Sequence, residues 1–159
     1  MWWGAEKIIA SVFQNRRTAV KSGHSLSKDW AAGIIALQWL LTFHPSKVIC
    51  TAPKFDQVTK IIFEEISKQF HRLQETSPYP IAGDPLTKTG LQFGPEWYAF
   101  GMTTREAGTG MGKFMGYKSP NLLVIMTEAQ DIPDNIYDQV YGLTTSPNFS
   151  ILEIGNPIL

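Results

Sequence analysis

The sequence contains very little cysteine and no excess of charge of either sign. Cys50 is the only cysteine in 159 residues, so no internal disulfide can form. A disulfide-stapled secreted fold is therefore excluded, and we expect a reducing compartment with Cys50 in the core. Basic and acidic side chains number 14 each, which gives a formal net charge of zero. A dedicated nucleic-acid binder carries a basic excess, so any contact with nucleic acid is expected to be local.

Long apolar runs are also missing. The longest, residues 30–41, is interrupted by Gly33 and Gln38 and is shorter than the roughly 20 residues that a membrane span requires. The first residues show no basic region followed by an apolar stretch, so no signal peptide is predicted. With 43% hydrophobic residues, a chain of this length is expected to form one domain around one core.

Apolar periodicity predicts strands that alternate with helices. Helices are predicted at 4–14, 29–43, 55–73 and 134–142, and strands at 17–21, 48–51, 122–126 and 150–154, with weaker strands at 91–93 and 97–103. Residues 77–90 and 104–121 are rich in Gly, Pro, Ser and Thr and are predicted to be loops. This alternation predicts an α/β fold with a mainly parallel sheet and right-handed crossovers.

A candidate phosphate-binding loop lies between the first predicted strand and the second helix. Its residues are Gly23, His24, Ser25, Leu26, Ser27, Lys28 and Asp29. Backbone N–H groups at such a helix start point at an anion, and Lys28 is placed to reach the β- and γ-phosphates of a nucleotide. The match to G-x-x-x-x-G-K-[ST] is incomplete, because Ser27 replaces the second glycine and Asp29 the metal-binding hydroxyl. A surface turn with a solvated lysine is the alternative.

A second glycine-rich segment, residues 107–114, fits the glycine spacing better. A phosphate-binding loop must open a helix, however, and Gly116 and Pro120 follow this segment closely. We therefore predict a flexible loop here.

The strand at 122–126 is continuously apolar, as expected of a central parallel strand covered on both faces. Ligands of open α/β sheets bind at the carboxyl ends of the strands, and Glu128 follows this one. Glu128 is therefore a candidate general base, while Thr127 stands where ATPases of the additional-strand class carry a metal-binding aspartate. An acid that merely ends a strand is the alternative. Asn156, between Gly155 and Pro157 after the last strand, is a candidate sensor of a γ-phosphate, or else part of a plain turn.

Four segments in this order resemble the ATPase domain of the phage terminase large subunit. They are residues 17–24 (RTAVKSGH), 51–58 with Thr51-Ala52-Pro53 and Gln57-Val58, 123–130 (LVIMTEAQ) and 154–157 (IGNP). The resemblance covers nearly the whole chain. It implies a P-loop NTPase fold of the RecA-like, additional-strand class, a three-layer sandwich with a mainly parallel sheet. It also implies an ATP-hydrolysing motor, with ATP and Mg²⁺ as cofactors, that drives double-stranded DNA into a procapsid.

The resemblance assigns roles to individual positions of this chain. Lys28 matches the phosphate-loop lysine, Gly23 the first glycine of that loop, Glu128 the catalytic glutamate and Asn156 the coupling motif. Gln14 matches the glutamine that recognises adenine, with an exposed residue at a helix end as the alternative. In addition, Arg105 is a candidate for contact with a neighbouring subunit's phosphate.

The metal site departs from the family pattern at two positions. Asp29 brings a carboxylate close to the triphosphate, and Thr127 removes one from the strand end. One interpretation is that Asp29 and Thr127 have exchanged roles around Mg²⁺. The alternative is a degenerate, non-hydrolysing module that serves in binding or assembly.

The resemblance further implies partners: viral DNA, a portal protein, a small terminase subunit and further copies in a ring, with no membrane, in the cytoplasm of an infected bacterium. The family's nuclease domain of RNase H type would begin after residue 159. We therefore expect a terminase-like ATPase domain over 1–159 that is truncated at its C-terminus and does not cut DNA.

Overall fold

The computed structural model of the protein describes residues 3–23, 27–81, 84–104 and 114–156. The helices are α1 (Trp3–Gln14), α2 (Lys28–Thr42), α3 (Glu64–Thr76) and α4 (Asp134–Tyr141), with a π-helix (Gln57–Phe63) before α3 and 3-10 turns at Phe114–Tyr117 and Ala129–Asp131. The strands are β1 (Arg17–Lys21), β2 (Lys47–Ala52), β3 (Asp84–Thr87), β4 (Gly90–Gly94), β5 (Trp97–Thr103), β6 (Asn121–Thr127) and β7 (Asn148–Gly155). None of the helices in these ranges is long and apolar enough to span a bilayer.

Within the described residues the strands form one seven-stranded sheet in the order β1-β7-β6-β2-β5-β4-β3. The pairs β1–β7, β7–β6, β6–β2 and β2–β5 are parallel, whereas β4 runs antiparallel to both of its neighbours. The mainly parallel sheet predicted from the sequence is therefore confirmed. Strand β7 lies between β1, which leads into the candidate phosphate loop, and β6, which leads to Glu128.

Helices cover both faces of the sheet, as the three-layer prediction required. Alternate residues of β6 point to opposite faces, so Leu123 and Ile125 join one core cluster and Val124 the other. The first cluster packs the sheet against α1, α2, the π-helix and α3, and the second packs it against α4 and Phe114. Burial on both faces explains why β6 is apolar without alternation.

Two parts of the fold differ from the sequence prediction. Residues 77–90 were expected to be a loop, but Asp84–Thr87 pairs as the edge strand β3. Proline is tolerated on an edge strand because no ladder hydrogen bond is needed on its outer side. The third predicted helix begins as a π-helix, which packs against β5 at Gly101. A Cβ atom on Gly101 would lie 2.3 Å from Val58 Cγ1 and 2.8 Å from Phe63 Cε2, so only glycine permits this approach.

Candidate functional site

The candidate site lies at the carboxyl edge of the sheet, where β1, β7 and β6 end side by side. Lys21 of β1 pairs with Gly155 of β7, and Thr127 of β6 pairs with Ile154. The backbone N–H of Ser22 donates to the Gly155 carbonyl at 3.2 Å, so the loop after β1 leaves the sheet beside the tip of β7. The sheet order therefore brings three distant parts of the chain together.

Lys28 begins α2 and is buried, with 6% of its surface exposed. Its Nζ donates a hydrogen bond to Asn156 Oδ1 at 2.5 Å. A buried ammonium requires an acceptor, and here the amide oxygen of Asn156 provides one. The positive end of a helix dipole is an unfavourable place for a cation and a favourable place for an anion. Lys28 and the start of α2 are therefore suited to hold an anionic ligand between them.

Ser27 precedes Lys28 in a left-handed backbone conformation, with φ 56° and ψ 19°. This region favours glycine, because a Cβ atom crowds the backbone there. The position is the one at which the phosphate-loop pattern has its second glycine. The backbone at this point thus follows the pattern although the side chain does not.

Glu128 also has a left-handed backbone, with φ 51° and ψ 46°, directly after β6. Its Oε2 accepts a hydrogen bond from Gln130 Nε2 at 2.7 Å and a longer one from Asn156 Nδ2 at 3.4 Å. Strained non-glycine residues concentrate at functional sites, where the surrounding structure holds them in place. The carboxylate is thus aimed at the tip of β7.

Asn156 connects the two candidate catalytic side chains. Its amide oxygen accepts from Lys28 and its amide nitrogen donates to Glu128. A single amide therefore joins Lys28 and Glu128, which are 100 positions apart in the numbering of the chain. Three residues singled out in the sequence are brought together by the fold.

Gln130, for which the sequence predicts no role, joins this network from the turn after β6. Besides donating to Glu128, its Oε1 accepts the backbone N–H of Asn156 at 3.1 Å. Its position two residues after the strand-end glutamate was the signal that could have identified it.

Asp29 and Thr127 are the residues that the sequence predicts as metal ligands. Burial raises the pKa of the Asp29 carboxyl above its ordinary value. The Lys28 ammonium lowers this pKa, while the carboxylates of Glu128 and Glu65 raise it. Asp29 therefore lies within electrostatic reach of both candidate catalytic groups. Thr127 is 3% exposed, and its Oγ1 has no hydrogen-bond partner among the described residues.

These donors are compatible with magnesium. Mg²⁺ prefers oxygen ligands and is commonly held by one or two carboxylates together with substrate phosphates and water. A carboxylate at Asp29 and an unpartnered buried hydroxyl at Thr127 match that preference. Among the residues that the structure describes, no cluster of three or more His, Cys, Asp or Glu side chains could hold a metal ion. Phosphate and water oxygens would therefore have to complete the ligand set.

Other predicted site residues lie elsewhere or outside the described ranges. Gln14 is exposed at the end of α1, before β1 starts, and so lies at the opposite edge of the sheet from the Lys28–Asn156 pair. Its predicted contact with adenine remains a prediction. His24, Ser25, Leu26 and Arg105 fall outside the described residues, as do residues 107–113 of the rival loop. The rival loop is followed by a short 3-10 turn, Phe114–Tyr117, rather than by an α-helix.

Comparisons with known proteins bear on the fold and on the resemblance. No protein-family model matches the chain. The chain is 27% identical over 165 aligned residues to a protein of Enterobacteria phage P7 named "Probable terminase, large subunit". That alignment covers 98% of this chain but 32% of the relative, so the chain spans about a third of the relative's length.

Solved structures show the same fold. The large terminase ATPase domain of Thermus phage P74-26 superposes with a TM-score of 0.67 at 20% identity, over 96% of this chain and 65% of that one. A large terminase from another thermophilic bacteriophage gives a TM-score of 0.70 at 9% identity, over 98% of this chain and 39% of that one. The strand that separates β1 from β6 is the feature expected of the additional-strand class, and the fold is the P-loop, RecA-like fold of these domains. The predicted resemblance to the ATPase domain of the phage terminase large subunit is thereby confirmed over nearly the whole chain.

Proposed function

We propose that the chain binds and hydrolyses ATP as the motor domain of a viral DNA-packaging terminase large subunit, coupling hydrolysis to translocation of double-stranded DNA. The observation that carries this proposal is the convergence of Lys28, at the start of α2, with Asn156 and Glu128, which directly follow the neighbouring parallel strands β7 and β6. A buried cation at a helix start and a carboxylate facing it across one amide form an arrangement suited to phosphoryl transfer.

Each side chain has a chemical task in this proposal. Lys28 leaves the Asn156 oxygen and donates to the phosphates of ATP, whose charge also meets the positive end of α2. Glu128 accepts a proton from the attacking water. Asn156, released by Lys28, is then free to respond to the γ-phosphate, so that nucleotide state is transmitted to the tip of β7.

Asp29 and Thr127 would hold Mg²⁺, which, when bound, neutralises charge on the triphosphate. The carboxylates of Asp29, Glu128 and Glu65 outnumber the single Lys28 ammonium that acts on Asp29. We therefore expect ATP to bind with Mg²⁺ and only weakly without it.

The replaced metal-site residues favour a second candidate function. Phosphoryl-transfer catalysis depends on positioning and on charge neutralisation, so a misplaced carboxylate at Asp29 would leave a module that binds nucleotide without hydrolysing it. Calorimetry with Mg²⁺ and ATP, together with DNA-stimulated turnover, separates the two candidates. Binding without turnover supports the non-hydrolysing module, and turnover supports the motor.

The direct test is to measure ATP turnover with double-stranded DNA for the parent, Lys28→Ala and Glu128→Gln. Loss of the phosphate-binding cation should reduce kcat/KM by about 100-fold or more. Loss of the base should reduce kcat by about 100- to 10,000-fold while ATP binding is retained.

Matched controls are Lys7→Ala on α1 and Glu75→Gln near the end of α3. Both side chains are exposed, and the two substitutions remove the same charges as Lys28→Ala and Glu128→Gln. Turnover within about twofold of the parent is expected for both controls. The motor proposal is wrong if Glu128→Gln turns over ATP as fast as its control.

The wider assignments rest on the named relatives and belong to the same proposal. We propose viral double-stranded DNA, a portal protein, a small terminase subunit and further copies in a ring as partners, in the cytoplasm of the infected host. Cosedimentation of the chain with portal assemblies, with and without ATP, tests the portal contact.

A further inference from the structure

We propose that Gln130 is a positioning residue that fixes the Glu128 carboxylate relative to the tip of β7. This inference rests on the proposed function, since it assigns Gln130 to the same reaction. It differs from the roles above because Gln130 acts on the glutamate and the β7 backbone and is given no contact with ATP.

Both polar atoms of the Gln130 amide form hydrogen bonds within the site. Its Nε2 donates to Glu128 Oε2 at 2.7 Å, and its Oε1 accepts the backbone N–H of Asn156 at 3.1 Å. The opposite orientation of the amide would set oxygen against a carboxylate and NH₂ against an N–H, so only one orientation satisfies both neighbours. The side chain thus ties the glutamate to the main chain of the residue that holds Lys28.

The fold leaves space for this amide beside Gly155, at the end of β7. A Cβ atom on Gly155 would lie 2.9 Å from Gln130 Oε1, and 3.7 Å from Ala129 Cβ. A side chain at position 155 would therefore displace the Gln130 amide oxygen from its present position beside the strand. The turn that carries Gln130 is fixed as well, because Tyr137 Oη donates to the Ala129 carbonyl at 3.0 Å.

Glu128 has a strained backbone, and its side chain needs a contact that fixes its direction. Its left-handed backbone does not by itself select a direction for the long side chain, which has three rotatable bonds. The close contact with Gln130 selects that direction, whereas the contact from Asn156 is longer at 3.4 Å. Removing Gln130 would leave the carboxylate with a single long contact to the β7 tip.

The experiment compares kcat, KM and the binding of a non-hydrolysable ATP analogue among the parent, Gln130→Ala, Gln130→Glu and Gly155→Ala. For Gln130→Ala we expect kcat to fall about 10- to 100-fold, with KM and analogue affinity within about threefold of the parent, because misplacement of a catalytic group acts on the transition state. The kcat of Gln130→Glu should fall at least as far, because this substitution places a second carboxylate next to that of Glu128.

Gly155→Ala supplies an independent check, because it crowds the amide without altering Gln130. It should reproduce the loss of kcat, and the double variant Gln130→Ala with Gly155→Ala should be no worse than Gln130→Ala alone. Gln74→Ala, an exposed glutamine of α3, is the matched control and should retain the parent's kcat. Thermal unfolding of every variant shows whether each is folded.

The outcomes separate the inference from the proposed function. An active parent whose Gln130→Ala variant keeps its kcat overturns the inference alone. A variant that loses affinity for the analogue in proportion to kcat overturns it too, since that result indicates binding or folding rather than positioning. A parent that neither binds nor hydrolyses ATP overturns the proposed function and the positioning role together.

Discussion

Lys28 Nζ and Asn156 Oδ1 lie 2.5 Å apart, although the two residues are separated by 128 positions in the sequence. The contact joins the start of α2 to the end of β7 and gives a buried ammonium a neutral acceptor. A triphosphate is a better acceptor for this cation than an amide, because its oxygens carry negative charge and add a Coulombic attraction that a neutral amide lacks. On the proposed function, Lys28 therefore exchanges the amide oxygen of Asn156 for a phosphate oxygen when ATP binds.

The first prediction concerns Asn156→Asp. The new carboxylate would pair with Lys28 as an ion and would face Glu128, so Lys28 would be released less readily to a phosphate. We expect affinity for a non-hydrolysable ATP analogue to fall about tenfold or more, as isothermal calorimetry would measure. Asn135→Asp, at an exposed position of α4, is the control and should bind like the parent. Unchanged affinity in Asn156→Asp contradicts the exchange of Lys28 between Asn156 and phosphate.

A second prediction follows from the backbone of Ser27. Glycine adopts the left-handed region without the crowding that a Cβ atom introduces, so Ser27→Gly should raise the free energy of unfolding by about 0.5–1 kcal/mol. Ser67→Gly, inside α3, should lower it by about 0.5 kcal/mol, because glycine is a poor residue for a helix interior. Urea denaturation measures both. The same sign for the two substitutions would show that the φ angle at Ser27 has no energetic effect.

A third prediction uses the raised pKa of Asp29. A carboxyl whose pKa is higher in the folded than in the unfolded chain is stabilising when protonated and loses that contribution as pH rises from its ordinary value of 3.8 through the raised value. At neutral pH and without Mg²⁺, Asp29→Asn should therefore have a higher Tm than the parent. The difference should shrink on acidification to below 3.8.

Asp138→Asn controls for the loss of one negative charge, because Asp138 is exposed on α4. A gain in Tm of Asp29→Asn that is independent of pH contradicts the assignment of the effect to the Asp29 carboxyl. If Asp29 is a metal ligand, the same variant should also lose the dependence of ATP binding on Mg²⁺.

A fourth prediction concerns the contact between Gly101 and the π-helix. A methyl group at Gly101 would overlap Val58 and Phe63, so Gly101→Ala should lower stability by about 1–3 kcal/mol. Gly116→Ala should change it little, because among the described residues no atom beyond the chain neighbours of Gly116 lies within 4 Å of the new Cβ. Adding Val58→Ala to Gly101→Ala should recover part of the loss, because it removes the atom that lies 2.3 Å away. Strict additivity of the two substitutions in urea denaturation would contradict this contact.

A fifth prediction concerns Cys50, which lies on β2 with none of its surface exposed. Burial raises the pKa of its thiol, and the thiolate is the reactive form, so alkylation at neutral pH should be slow in the folded chain. In denaturant the reaction should proceed at the rate of an ordinary cysteine. Rapid alkylation without denaturant would show that the sheet opens at β2.

The elements that depend on periodicity were predictable from the sequence, and those that depend on tertiary contacts were not. Strand β1 and helix α1 have the expected positions because a continuous local pattern marks them. Strand β3 was missed because its proline-containing sequence forms a strand only through its pairing with β4. The π-helix was missed because its apolar residues have the spacing of an ordinary helix, and its packing on Gly101 is a contact across the fold.

The candidate site shows the same division. Lys28 and Glu128 could be predicted because each follows a recognisable strand. The amide that joins them could be named, but its two contacts depend on β7 being inserted between β1 and β6. Gln130 could not be given a role from the sequence, because its partner is the main chain of a residue 26 positions away.

The insertion of β7 between β1 and β6 also determines how movement can pass through the sheet. Neighbouring strands are about 4.8 Å apart, so the tip of β7 lies next to the ends of both β1 and β6. No further element is needed to connect these two strand ends. A displacement of the β7 tip would therefore change the Lys28 contact and the Glu128 contact together. The end of this one strand thus couples the Lys28 side of the site to the Glu128 side.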